Sequence, residues 1–362
     1  MKIISANCKF VSTTITKGKI HGQGSKKRYC FIILITDSEE FVSELYPGTY
    51  SQKLVLECFQ VINAKLIKKG IFNDLWDIRE CLHIPFISGN GIYQACVNAT
   101  LNAAMQKFDP LKIESLTGVK YYYSGGTVKS ELKDIEYEAD YATKNLFDFY
   151  KIRLDYRNTN DCLEKIKFLN TAPIKFCVDF IANTNFQRNS DAAILYLTQK
   201  MDPSRVIWIE EPFVPNNLFQ SKGLINRLRD LGFKVAIGES FTSEFELYAL
   251  EQSGLADIVQ LDATINADTD KLTEFARSCK KNISFHNWGS KFTSLLNLTI
   301  ASKLSRDVYF EEPYYKTEFD SEISHILRTE TSNQSISENE NTQIIDIINR
   351  FSIEKTDDFQ WT

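Results

Sequence analysis

Short apolar runs, each closed by an acid or a histidine, recur along the second half of the chain. FCVD ends at Asp179, VIWIEE at Glu210 and Glu211, VAIGE at Glu239, DIVQLD at Asp262, ISFH at His286 and VYFE at Glu311. From Asp179 through Glu210, Glu239, Asp262, His286 and Glu311 the steps are 31, 29, 23, 24 and 25 residues. Each step has the length of one strand, one helix and two loops. Strands alternating with helices build a parallel sheet. Eight such units closing into a (β/α)8 TIM barrel would bring the strand-end residues together at the mouth where such barrels carry their chemistry. The repeat dominates from FYKIRLDY at 149–156 to about residue 325, after a change of pattern near YYYSGGTVK.

The first third has a different rhythm. KIISANCKFVSTTIT and RYCFIILITD alternate apolar and polar residues and read as strands, joined by the Gly- and Lys-rich flexible loop GKIHGQGSKK. YPGTY at 46–50 reads as a turn. Ser51 to Lys69 has helical periodicity, with Leu54, Val55, Cys58, Val61, Ile62 and Leu66 on one face. A second apolar helix is expected over Gly91 to Gln106. These readings divide the chain into an α+β domain over 1–122, a barrel over 123–325 and a tail over 326–362. In the tail, ETSNQSISENENTQ reads as a polar loop or disordered linker, IIDIINRF as a short helix and FQW as a last apolar contact. Such a tail would either pack on the first domain or be disordered.

Composition narrows the function classes. At 362 residues the chain suits two domains, and 43% hydrophobic with 25% charged residues is ordinary for a globular enzyme. The net charge of -5 gives no electrostatic reason to expect nucleic acid or an anionic membrane. No stretch approaches the length of a membrane span, and the first residues lack the apolar core of a signal peptide. Eight cysteines without a C-x-x-C pair argue against a zinc site or a disulfide framework, and for a reducing, cytoplasmic setting.

The strand-end residues then define a chemistry. Asp179, Glu210 and Glu239, without thiols or clustered histidines, make a hard oxygen site whose natural occupant is magnesium, with manganese as a substitute. Uncompensated, three such anions would raise one another's pKa. Asp262 and His286 end consecutive strands, about 4.8 Å apart in a sheet. An Asp bonded to one imidazole nitrogen makes the other a general base. Lys151 and Arg153 flank Ile152, and the period of two puts both cations on one face. Inside a barrel they need anions to meet.

As a set, KIR, VD, IEEP, IGES, QLD, FHNWGS and FEEP resemble the enolase superfamily, in particular its mandelate racemase subgroup. The resemblance covers the barrel and the order of domains. It implies magnesium ligands at Asp179, Glu210 and Glu239, and at Lys151 a cation for the substrate carboxylate or enolate. It implies an Asp262–His286 dyad acting on the carbon next to that carboxylate, and at Glu311 an acid that hydrogen-bonds the enolate. Glu211 would support a neighbouring ligand. The first domain would be a cap, with the GKIHGQGS loop and the YPGTY turn closing over a small carboxylate substrate. Family members commonly assemble, so a homo-oligomer is expected.

Four departures stand out: Arg153 where the family usually has lysine, ATINADTD where two glycines often follow the sixth strand, FIAN after Asp179, and no Gly-Leu-Gly near the C-terminus. Arg153 bears on the reaction. A guanidinium stays protonated at neutral pH, which leaves His286 as the evident base. One base favours dehydration of an aldonic or aldaric acid to a 2-keto-3-deoxy product. A racemase or epimerase is the alternative, and a non-catalytic binding relative is a third reading.

Overall fold

The computed structural model describes residues 1–18, 26–46, 51–84, 91–180, 190–213, 218, 221–327 and 334–353. Most of the GKIHGQGS loop, YPGTY after Tyr46, IAN at 181–183 and the terminal FQW lie outside them.

Three antiparallel strands open the chain: β1 (Ile3–Lys17), β2 (Lys26–Thr36) and β3 (Glu40–Leu45). The helices α1 (Gln52–Lys69), α2 (Leu75–Leu82) and α3 (Gly91–Met105) follow, and β1, β2, α1 and α3 bury one apolar core between them. Ser51 caps α1, its side chain accepting from the Leu54 N–H at 3.2 Å. The buried face of α1 is narrower than the sequence pattern suggests. Val55, Phe59, Ile62 and Leu66 are buried at helical spacing, whereas Leu54 and Val61 lie one step off that stripe and are 38% and 44% exposed. Two further expectations need correction. Lys26 and Lys27 belong to β2, not to the loop, because the strand pairs Thr13 with Lys27 and Thr14 with Lys26. The segment EFVSEL, read as no element from sequence, is β3, held by its pairing to β2.

After β4 (Lys112–Ile113), the barrel begins with β5 (Val119–Ser124), so a boundary drawn at 122 would cut its first strand. There follow α4 (Leu132–Lys144), β6 (Phe149–Arg153), α5 (Thr159–Leu169), β7 (Phe176–Asp179), α6 (Ser190–Thr198) and β8 (Val206–Glu210). Then come α7 (Lys222–Asp230), β9 (Val235–Ile237), α8 (Glu244–Ser253), β10 (Ile258–Leu261), α9 (Thr269–Ser278), β11 (Asn282–Phe285), α10 (Lys291–Ala301) and β12 (Val308–Pro313). All eight strands pair in parallel, and β12 closes on β5. Alternation along these strands gives the barrel two kinds of filling. Its lower layer is aromatic: Phe149 lies within 5.4 Å of the rings of Tyr122, Trp208 and Tyr309. Two residues further along the strands the layer turns polar, with Ser124, Lys151, Asp179, Glu210 and Glu311, all buried.

The chain ends with β13 (Lys316–Thr317), α11 (Glu318–Leu327), β14 (Gln334–Ser335) and α12 (Glu338–Phe351). β13 returns to pair with β1, and α12 packs against α11, β1 and β3. The polar stretch SENENTQ is therefore not all linker. Ser337 and Glu340 form a capping box that starts α12 six residues before IIDIINRF. The cap is fastened to the barrel mouth by buried polar contacts. Asn102 donates to the Ala263 carbonyl at 3.0 Å and accepts from the Thr269 N–H at 2.8 Å, and Tyr29 donates to Asp320 at 2.8 Å.

Candidate active site

Strand register sets the site. Arg153, Asp179 and Glu210 are lateral partners across β6, β7 and β8, one side chain beside the next at the same height. Glu239 follows two residues after β9 in the loop opened by Gly238. That glycine is required: its φ is +139°, and a Cβ would stand 2.5 Å from the Gln260 carbonyl oxygen. Glu211 holds the same loop from the other side. It accepts from the Gly238 N–H at 3.1 Å and the Ser240 hydroxyl at 2.5 Å, with its own φ at +30°. A non-glycine residue so placed stores strain that the surrounding bonds must hold.

Lys151 sits at the centre. Its ammonium donates to Glu210 at 2.7 Å and forms an ion pair with Glu311 at 2.8 Å, all three side chains at most 1% exposed. Burial alone would neutralise each of them, but their mutual attraction prevails. Glu210 and Glu311 are held below the usual carboxylate range and Lys151 well above the usual amine range. Trp208 donates to the other oxygen of Glu210 at 3.1 Å, and the Asn287 N–H donates to Glu311 at 2.9 Å. Arg153 donates to the Gly125 carbonyl at 3.0 Å and the Ser124 hydroxyl at 3.2 Å. It lies 3.5 Å from Asp179 and stacks 4.2 Å from the centre of the Trp288 ring.

Opposite stands the imidazole. His286 Nδ1 is 2.8 Å from Asp262, whose other oxygen accepts from the Thr264 N–H and hydroxyl at 2.8 and 2.6 Å. Its Nε2 points toward Glu239, 3.7 Å away. Burial would lower the histidine's pKa, but the charge on Glu239 and the bond to Asp262 raise it to about 10. Glu239 itself is raised well above the carboxylate range, chiefly by burial. Tyr46 approaches His286 edge-on at 6.4 Å, so the YPGTY segment begins beside the imidazole.

The structure thus gathers the eight residues expected to ligate metal or act on the substrate into one cluster at the barrel mouth, all buried except the partly exposed Glu239. Those missed from sequence are Ser124, Trp208, Glu44 and Tyr46. Strand parity could have found Trp208, two positions before Glu210, whereas Ser124 is placed only by the register that sets it beside Lys151. Glu44 and Tyr46 come from the cap, and no spacing within the barrel points to them.

A scan against family models matches residues 134–334 to the enolase C-terminal domain-like family. The chain belongs to the enolase superfamily. Solved structures of this superfamily's fold cover nearly all of it. A member from Polaromonas sp. JS666 is 16% identical with a TM-score of 0.72, covering 98% of each chain. The 3,6-anhydro-D-galactonate cycloisomerase from Zobellia galactanivorans is 15% identical with a TM-score of 0.69, covering 89% of this chain and 90% of its own. An enolase from Bradyrhizobium in complex with magnesium and mandelic acid is 15% identical with a TM-score of 0.66, covering 86% and 87%. At such identities the likeness speaks for the fold. No curated protein sequence matches the chain.

Among the described residues of this superfamily member, no three acids, imidazoles or thiolates already stand in a coordinating arrangement. The reason is visible in the pairs above: Glu210 turns to Lys151 and Asp179 to Arg153. The donor set still fits a hard divalent cation. It offers only oxygens, at the ends of three adjacent strands and in the loop just after the last, and Glu239 Oε2 is buried with no hydrogen-bond partner among the described residues. No helix among the described residues is long and apolar enough to cross a membrane.

Proposed function

We propose that this protein removes the proton next to the carboxylate of an acid sugar and expels the neighbouring hydroxyl, giving a 2-keto-3-deoxy acid. Asp179, Glu210 and Glu239 would hold magnesium, with manganese able to substitute, and the bound cation supplies positive charge to the substrate carboxylate. Lys151 meets the charge that builds on that carboxylate as the proton leaves. Arg153 clamps the carboxylate or an adjacent hydroxyl through its fork of donors. Glu311, hydrogen-bonded through Asn287, lies between these cations and keeps them placed.

With Glu239 committed to a cation, the charge that keeps the imidazole protonated is drawn off, and His286 then takes the proton on Nε2, the nitrogen that Asp262 leaves free. The C2–H bond breaks, C2 and C3 form a double bond and the C3–O bond breaks. The imidazolium returns its proton to the departing hydroxyl, water leaves and the enol ketonises. The observation that carries this reading is the asymmetry of the site. One side presents an imidazole oriented by Asp262. The other presents a guanidinium, stacked on Trp288 and raised further in pKa, burial notwithstanding, by Asp179 and Glu311, which cannot act as the second base of a racemase.

The test is a panel of aldonic and aldaric acids incubated with the protein and magnesium in heavy water. A 2-keto-3-deoxy product with solvent deuterium at C3 is expected. A C2 epimer with deuterium at C2 and no keto product would replace this reading with that of an epimerase.

A further inference from the structure

Lys27 is a buried cation with no hydrogen bond or ion pair to a described residue. It lies on β2, on the row with Tyr29 and Phe31 that faces the barrel, and is 2% exposed. An apolar residue would be cheaper there, because a buried ammonium needs acceptors for its donors. Three rings surround it: Tyr315 at 5.1 Å, Trp288 at 5.3 Å and Tyr29 at 6.0 Å from ring centre to Nζ. Such rings attract a cation but accept no strong hydrogen bond. The carboxylates that could pair with it are committed elsewhere. Glu44 accepts from the Ser290 N–H and hydroxyl and from the Thr293 N–H and hydroxyl, at 2.5 to 3.1 Å. Asp320 accepts from the Tyr29 hydroxyl, the Lys291 N–H and the Thr317 hydroxyl, at 2.8 to 2.9 Å. No hydrogen bond or ion pair joins the Lys27 ammonium to any described residue.

Its position relates it to the reaction centre. Trp288 follows His286 by two residues, and its ring also carries the Arg153 guanidinium at 4.2 Å. The two cations share one indole, 5.3 and 4.2 Å from its centre, which keeps them within 9.5 Å of each other, inside the reach of a short sugar chain. Lys151 and Arg153 already serve the carboxylate next to the reacting carbon.

We propose that Lys27 binds a second anionic group at the far end of the substrate, so that the substrate class is a doubly acidic sugar acid, a dicarboxylic aldaric acid in the first place. The proposal rests on the reading above that the site binds a sugar acid. Burial lowers the Lys27 pKa to about 7, against the pull of Glu44 and Asp320 and with a further push from Arg153. An arriving anion would satisfy the ammonium's donors and restore its charge. A neutral hydroxymethyl end would leave it unpaired, which is how a polar site rejects the wrong ligand.

The experiment compares stereoisomeric tetraric, pentaric and hexaric acids with their aldonic counterparts, and with hexonic 6-phosphates to separate a carboxylate from a phosphate. Binding is read by calorimetry with magnesium, for wild type, Lys27→Met and Lys27→Arg. Wild type is expected to bind at least one doubly acidic member roughly 10- to 100-fold more tightly than its aldonic match. Lys27→Met should remove that preference by weakening the doubly acidic ligands, with aldonates bound at least as tightly as before, and Lys27→Arg should restore much of it. Where turnover is seen, the loss should fall on KM and not on kcat. Doubly acidic preference without any keto product would keep the proposal and discard the dehydration reading. Equal loss for both acid classes in Lys27→Met, no preference in wild type, or no binding of either class would overturn it.

Discussion

His286 and Arg153 belong to one cluster at the barrel mouth, and their chemistry differs in kind. Imidazole can exchange a proton near neutrality, whereas guanidinium cannot. Replacing His286 with Asn is therefore expected to stop exchange of the substrate α-proton with deuterated solvent while substrate still binds. Asp262→Asn perturbs tautomer and orientation without removing the base, so it should cost less, roughly 10²- to 10⁴-fold in exchange rate. Both rates can be followed by proton NMR on one substrate. Undiminished exchange in the His286 variant would place the base elsewhere. At this scale the sequence was informative because parity along a strand fixes which side chains point inward. Lys151 and Arg153 share a face for that reason, and so do Asp179 and Glu210 with Cys177 and Trp208 below them. Parity could equally have turned Lys27 toward the barrel, had it been read as part of a strand. Gly22 and Gly24, a few residues before it, make it look like loop.

Elements were legible where the local signals were strong. The runs that end in Asp179, Glu210 and Glu239 are strands β7, β8 and β9, the last running on two residues into the following loop. The helix over 51–69 and that over 91–105 follow their periodicity. Signals failed where pairing, and not composition, makes the element. β3 exists through its ladder with β2, and β13 through its pairing with β1 nearly three hundred residues away in sequence. In the tail, the capping box at Ser337 was present in the sequence but was outweighed by the polar composition around it. Two variants separate structural from functional elements. Ser337→Ala should lower stability by about 1 kcal/mol through loss of the α12 cap, with activity per folded molecule unchanged. Gly238→Ala forces a side chain into a left-handed position against the Gln260 carbonyl and should cost more than about 1 kcal/mol. It should also weaken magnesium binding, because it displaces Glu239. Thermal melts with and without magnesium distinguish the two, and an unchanged melt for Gly238→Ala would contradict the strain assigned to that loop.

Across the whole molecule, a cap and a barrel share one mouth. The barrel carries the acids, the base and Lys151. The cap carries Glu44, Tyr46 and Lys27 to the same place, and it is tied down through Asn102 and Tyr29. Sequence spacing could specify the first set, since a βα repeat repeats. It could not specify the second, since which cap residue meets which barrel loop is decided only when the two cores pack. The ion pairs at the mouth also explain how so many buried charges are tolerated: Glu210 and Glu311 share Lys151, and Asp179 faces Arg153. A cation bound by Asp179, Glu210 and Glu239 would take over part of that compensation. Ligand binding to the folded state alone raises stability, by about 2.7 kcal/mol at a hundredfold excess over Kd.

Magnesium binding to chelator-treated protein therefore tests the account most directly, by calorimetry on wild type and on Glu210→Gln. Wild type should bind a single magnesium per chain and melt at a higher temperature with it. Glu210→Gln should bind far more weakly, with no magnesium-induced rise in melting temperature and no turnover. Wild-type magnesium affinity in the Glu210 variant, or no binding by wild type, would contradict a metal site built on these three strands.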